Sequence, residues 1–239
     1  MSTENGNAEA PALVLSGGSS GIGEALAADL RNDWDVTSVS RSLPSKPLEG
    51  VTYVSGDVAG DAPQAVRESL ASQGRTSIHS LIHCAGVGVF GPFMDMPKDE
   101  WERALMLNLH GTLNFVQGVA DLVEDGGRIV LFSSGTVFKA PAGAAAYAAS
   151  KAGIIGFSRS LAAELGAQNI TVNVVAPGLV MTPLAAKLAG GEEANISTRA
   201  IKRAAVVEDF VGPTRFFLSP GASFVTGQTL VVDGGSIRR

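Results

Sequence analysis

Seven short apolar runs punctuate this chain, at residues 12–16, 35–40, 51–55, 78–84, 127–133, 170–176 and 229–233. They are rich in Val, Ile and Leu, and most lack the polar alternation of a half-exposed strand. A strand buried on both faces reads this way. Between them lie stretches of helical character at 21–31, 62–73, 98–123, 144–166 and 208–218. Strands alternating with helices make βαβ units, whose right-handed crossovers lay the strands side by side in one parallel sheet. The expected fold class is α/β, a doubly wound domain with a seven-stranded parallel sheet flanked by helices.

The length of 239 residues suits one domain that buries its own core. A loose tail is expected over 1–10 and a single domain over 11–239. The stretch 183–205 has no strand character and contains Gly190-Gly191, so a lid is expected there. Pro213 falls inside the last helical pattern, where it should kink the helix. Cys84 is the only cysteine, which excludes an intrachain disulfide. Lys and Arg number 18 against 23 Asp and Glu, and Lys202-Arg203 is too small a pair to form a nucleic-acid surface. No apolar run approaches the ~18 residues of a membrane span. The N-terminus lacks a basic region before an apolar one, so a cytoplasmic protein is expected.

The first run leads through Ser16-Gly17-Gly18-Ser19-Ser20-Gly21-Ile22-Gly23 into the first helix. Glycines let backbone approach a phosphate closely, and the helix N-terminus offers free N–H groups and the positive end of its dipole. The same residues fit G-x-S-x-G, the nucleophile elbow of hydrolases. That chemistry needs a histidine late in the chain, and the last one here is His110. A glycine-rich turn with no ligand is the remaining alternative.

Downstream, Tyr147 and Lys151 are four residues apart at the start of a long helical stretch, and so share one helix face. A phenol titrates near ~10, and a neighbouring cation can lower it. Ser134 ends the preceding strand, and Asn108 lies on the helix before that. A lone Y-x-x-x-K is usually a surface pair; the glycine loop, Ser134 and Asn108 together argue otherwise.

With these motifs in order, the sequence resembles the short-chain dehydrogenase/reductase superfamily, nearest in pattern to 3-oxoacyl-(acyl carrier protein) reductases. The likeness also covers Asp57-Val58, Cys84-Ala85-Gly86, Pro177-Gly178-Leu179-Val180-Met181-Thr182 and Val232-Asp233-Gly234-Gly235. It implies a Rossmann-type domain that exchanges hydride between a nicotinamide cofactor and a ketone or secondary alcohol. In that pattern Tyr147 is the acid and base, and Lys151 binds the nicotinamide ribose and depresses the tyrosine pKa. Ser134 holds the substrate carbonyl, and Asn108 holds a water of the proton relay. Cofactor contacts are implied at Gly17, Ser19, Ser20, Gly21, Ile22 and Gly23, at Asp57, Val58, Ala85 and Gly86, and at Pro177, Gly178, Val180 and Thr182. Ser16 stands for the usual threonine. Cys84 replaces an asparagine that ties the fourth strand to the cofactor loop, which puts local order there in doubt. The substrate is a carbonyl or alcohol, possibly carrier-bound, and apolar lining is expected from Val89, Phe90, Phe93, Val137, Phe138 and Leu184. An alcohol or dihydrodiol dehydrogenase working in the oxidising direction is the second reading. A cofactor-sensing protein that has lost catalysis fits less well, because Tyr147 and Lys151 are both present.

The residue that ends the second strand reads the adenosine ribose in dinucleotide folds. Here it is Ser40, followed by Arg41, so no carboxylate repels a 2′-phosphate and a guanidinium can pair with one. NADPH is expected as the preferred cofactor, with NADH possible, and Ser42 adds a hydroxyl. Ser20 is the opposing consideration, since many NADP-preferring relatives carry a second base there. The stretches 98–123 and 144–166 are apolar on more than one face, which points to a homo-oligomer, a tetramer or dimer. His79 and His83 lie four residues apart on one strand, about 13 Å, too far to share a metal ion. Asp121, Glu124 and Asp125 read as a solvated helix end.

Overall fold

The computed structural model describes residues 10–185 and 191–238. The expected tail therefore lies, Ala10 excepted, outside the described residues, as do residues 186–190 of the expected lid. Seven strands form one all-parallel sheet: β1 (Ala12–Ser16), β2 (Asp35–Ser40), β3 (Val51–Ser55), β4 (Ile78–His83), β5 (Val123–Phe132), β6 (Thr171–Pro177) and β7 (Thr229–Val232). Their order is β3-β2-β1-β4-β5-β6-β7. The chain winds outward from β1 to β3, then returns to place β4 on the other side of β1. The loops after β1 and β4 thus diverge and leave a crevice at their C-terminal ends.

Alternate residues of the central strands enter two separate cores, which is why those strands read as unbroken apolar runs. Ala12 and Val14 of β1 join Leu81 of β4 and Ile129 and Leu131 of β5 on one face. That face is covered by α2 (Ala62–Ser72), α4 (Gly111–Val119) and α6 (Ala145–Leu165), through Val66, Phe115 and Ile154. Leu13 and Leu15 point the other way, with Ile82, Val130 and Val175. There α1 (Gly21–Leu30) and α8 (Val211–Leu218) contribute Leu26, Leu30 and Phe217. Each such side chain contributes about 1.5–3 kcal/mol by leaving water.

The expected helix over 98–123 is in fact four elements. Helix α3 (Lys98–Ala104) passes into a π-helical turn, Leu105–His110, then α4, then a 3-10 turn, Ala120–Leu122. Val123 already belongs to β5, where it pairs with Ile78, and the register shifts before Arg128 meets Ser80. Apolar residues on several faces masked these breaks. Asp121 pairs with Arg67, whereas Glu124 and Asp125 open β5, so they do not form one helix end.

Pro213 is the third residue of α8, in the first turn, where its missing N–H breaks no helical bond. A 3-10 turn, Val207–Phe210, precedes it, so the expected kink becomes a junction between two elements. Within 183–205 the chain forms α7 (Glu192–Thr198), and Ala205 bridges in parallel to Val180. Arg199 pins this region: its buried guanidinium donates to Arg203 O (2.5 Å), Leu179 O (2.6 Å) and Asn195 Oδ1 (2.9 Å). Among the described residues no helix is long and apolar enough to cross a membrane.

Candidate active site

A cavity of about 1080 Å³ opens along the C-terminal ends of the strands. Every residue expected to take part in catalysis or cofactor contact lines it except Asn108. Its shape begins with Gly17, whose φ of +82° belongs to the left-handed region that glycine tolerates. A Cβ at Gly17 would lie 2.7 Å from the Ala85 nitrogen, so only glycine lets the loops after β1 and β4 meet. The N-terminus of α1 follows at Gly21, with Thr182 packed against it.

At one end, Ser40 closes β2 and Arg41 stands exposed beside it, with no carboxylate at this strand end. The Ser40 hydroxyl is buried and has no hydrogen-bond partner among the described residues. Asp57 is shaped by its own turn, accepting from the Ala59 N–H at 2.9 Å, while Asn114 holds the Val58 carbonyl at 2.8 Å.

Toward the middle, Tyr147 is the third residue of α6 and Lys151 lies one turn on; both are buried. The Phe90 ring covers the phenol, with ring centres 5.0 Å apart. Lys151 Nζ donates to the Phe132 carbonyl at 3.0 Å, and Ser133 Oγ donates to the Lys151 carbonyl at 2.8 Å, so the end of β5 fixes this turn of α6. Ser134 lies two residues beyond β5, not within it, and its hydroxyl donates to Thr136 Oγ1 at 3.0 Å.

Asn108 sits behind this wall, in the π-helical turn and not on a regular helix. Its amide is largely committed: Oδ1 accepts from Val87 N (2.8 Å), and Nδ2 donates to Val87 O (3.0 Å) and Ser150 Oγ (3.0 Å). It clamps the irregular segment following Gly86. A Cβ at Gly86 would lie 3.0 Å from Asn108 Oδ1 and 3.1 Å from Lys151 Nζ, so the two groups flank one point.

Burial governs the titration of these groups. It pulls Lys151 down to about 8, a drop that the nearby Cys84 thiol opposes. It pushes the Tyr147 phenol above its ordinary value, partly countered by the Ser134 hydroxyl. The lowering expected from Lys151 is not among the influences on the phenol here, and the ammonium is engaged by the Phe132 carbonyl. The Cys84 thiol is pushed up to about 12 by burial, which leaves it a poor nucleophile.

The tie expected to suffer from Cys84 is made by other atoms. Cys84 N donates to Ser16 O at 3.1 Å, and His83 Nδ1 meets Ser16 Oγ at 2.8 Å. The two histidines go to different partners: His83 is buried against Phe115, and His79 pairs with Glu124 and stacks on Trp34. The apolar lining also differs from expectation. Phe90 and Leu184 line the cavity, but Val89 is buried away from it, Phe93 is exposed, and Val137 and Phe138 pack on the sheet core. Sequence reading expected pocket lining from 135–143 and 183–205 but did not single out Lys139 or Thr198, and it missed Ser236; the three meet at the cavity wall from distant segments.

Comparison with known proteins agrees with this geometry. A family model described as enoyl-(acyl carrier protein) reductase matches residues 17–236, and the chain belongs to this short-chain dehydrogenase/reductase family. It is thus an oxidoreductase acting between CH–OH and C=O groups, of a family that binds a nicotinamide dinucleotide. Among its relatives is the short-chain reductase protein NovJ of Streptomyces niveus, 36% identical over 74% of this chain and 71% of that one. An acetoacetyl-CoA reductase from an Acinetobacter strain is 34% identical over 73% of this chain and 71% of its own. A short-chain dehydrogenase from Leptospira borgpetersenii, solved with bound NAD+, superposes with a TM-score of 0.84 at 27% identity, covering 95% of this chain and 93% of that one.

Proposed function

We propose that this protein interconverts a ketone and a secondary alcohol with NADPH as the preferred cofactor. The observation that carries the reading is the buried Tyr147–Lys151 pair, one helical turn apart on the cleft wall beside Ser134. A phenol held above its ordinary pKa keeps its proton at neutral pH, which suits it to protonate a carbonyl oxygen that is gaining charge. In the reverse direction the same oxygen takes the proton from an alcohol. Ser134 turns its hydroxyl from Thr136 to the substrate oxygen, exchanging one neutral hydrogen bond for another. Asn108 acts by position, clamping Val87 and facing the point that Lys151 also faces.

The cradle fits a dinucleotide, because Gly17 has no room for a side chain and the N-terminus of α1 opens behind it. A bound nicotinamide supplies or accepts the hydride. The glycine loop and Thr182 would hold the phosphates, Lys151 the nicotinamide ribose, and Asp57, Val58 and Gly86 the adenosine. Arg41, with Ser40 and Ser42, would take the 2′-phosphate.

Phe90, Leu184, Pro141 and Ala142 give the substrate side apolar walls, which supports an apolar body. The acetoacetyl-CoA reductase relative supports 3-oxoacyl thioesters among the candidates. Met106 and Leu113 stay exposed on the outer face of α3 to α4, which supports burial of that face between copies of the chain. A panel of ketones and alcohols with NADPH and NADH, followed by absorbance of the reduced nicotinamide, tests the reaction. No turnover of any member with either cofactor would overturn it.

A further inference from the structure

One cation in the cleft has no part in the chemistry above. Lys139 ends α5 (Thr136–Lys139), five residues beyond Ser134, and lines the cavity with Thr198 and Ser236. Its Nζ donates to Thr198 Oγ1 at 2.9 Å and to Ser236 Oγ at 3.0 Å, and those hydroxyls lie 2.5 Å apart. An ammonium has three donors, so one is left over. Among the described residues no carboxylate pairs with Lys139. The acid lining this end, Asp233, is engaged by three backbone N–H groups, from Gly235 (2.9 Å), Ser236 (3.1 Å) and Ile237 (2.8 Å). Two neutral hydroxyls solvate the charge of Lys139 without balancing it.

Sheet order separates this cation from Arg41. Arg41 follows β2, whereas Lys139, Thr198 and Ser236 follow β5, β6 and β7. Three strand spacings, about 14 Å, part β2 from β5, and Thr198 and Ser236 hold Lys139 Nζ on the β6 and β7 side, away from Arg41. Lys139 belongs to the half of the cleft walled by Pro141, Ala142 and Leu184.

From this placement we infer that the substrate has an apolar body ending in an anion, a carboxylate or a phosphate, that pairs with Lys139. The inference rests on the ketone–alcohol reading and adds the substrate's charge. A carboxylate would come from the substrate's own tail, and a phosphate from the arm of a thioester carrier. An ammonium–anion pair with a hydroxyl donor beside it is the stronger class of hydrogen bond.

The test compares kcat/KM for oxo acids of increasing chain length with kcat/KM for their methyl esters. A second arm compares a 3-oxoacyl coenzyme A thioester with the same acyl group on N-acetylcysteamine, which has no phosphate. The wild type is expected to favour the charged member of at least one arm by about tenfold, and the arm identifies the anion. Lys139→Met should bring that ratio near unity, and Lys139→Arg should keep it. Equal turnover of charged and neutral members by the wild type overturns the inference. So does an equal loss on both in Lys139→Met, which would make Lys139 a latch between α5, α7 and the C-terminal segment. If neutral ketones react and charge makes no difference, only this inference falls. If nothing reacts, the ketone reading falls with it.

Discussion

Ser16 Oγ and His83 Nδ1 share a hydrogen bond of 2.8 Å between the end of β1 and the end of β4, the two strands where the sheet order reverses. The two residues are also register partners in the parallel ladder. The bond joins the floor of the glycine loop to the strand that leads into Cys84, where the family's asparagine would stand.

His83 makes the fold sensitive to acid. Burial, aided by the Lys151 charge, pulls its imidazole down to about 3, so it stays neutral in the folded protein. An unfolded imidazole takes up its proton near ~6.5. As pH falls from there toward 3, the unfolded state binds a proton that the folded state refuses, and stability drops by up to about 1.4 kcal/mol per pH unit. Above pH 6.5 this contribution is flat. Urea melts from pH 7 to 4 should show a steeper loss for the wild type than for His83→Asn. Parallel slopes would refute the assignment.

Tyr147→Phe should fold and bind the dinucleotide while kcat falls by about 10²–10⁴-fold, because only the proton donor is lost. Circular dichroism and cofactor fluorescence check folding and binding. Retention of most activity would remove Tyr147 from the chemistry.

Lys151 should set the alkaline limb of reduction. Its ammonium titrates near 8 in the free protein, whereas the Tyr147 phenol lies above its ordinary value. The profile of kcat/KM for the cofactor reports free-enzyme groups. It should therefore decline above about pH 8, and Lys151→Arg should abolish that decline over the same range. A wild-type profile flat to pH 10 contradicts the burial argument.

The proposed preference for NADPH rests on the end of β2. Arg41→Ala should weaken NADPH binding by about tenfold and spare NADH, since a charge-assisted pair with phosphate is worth at least ~1.5 kcal/mol. Ser40→Asp should move preference toward NADH by repelling the 2′-phosphate. A higher kcat/KM with NADH in the unaltered protein would be incompatible with this reading.

The proposed burial of Met106 and Leu113 between copies of the chain predicts an oligomer in solution. Light scattering at micromolar concentration should give a multiple of 24.5 kDa, and Met106→Glu should lower it by placing a charge in the interface. A wild-type monomer would leave that apolar face unexplained.

The sequence by itself determined the order of strands and helices, the glycine cradle and the Tyr147–Lys151 pair. These are local: doubly buried strands need unbroken apolar runs, a close backbone approach needs Gly17, and four-residue spacing fixes a shared helix face. Only the tertiary structure decided the breaks in 98–123, because a π-helical turn and a strand start at Val123 both depend on partners elsewhere. It showed the Asn108 amide committed to Val87 and Ser150, and burial raising the Tyr147 phenol. It also brought Lys139 to Thr198 and Ser236 across 59 and 97 residues. No periodicity records such a meeting, since it arises where crossovers return three loops to one end of the sheet.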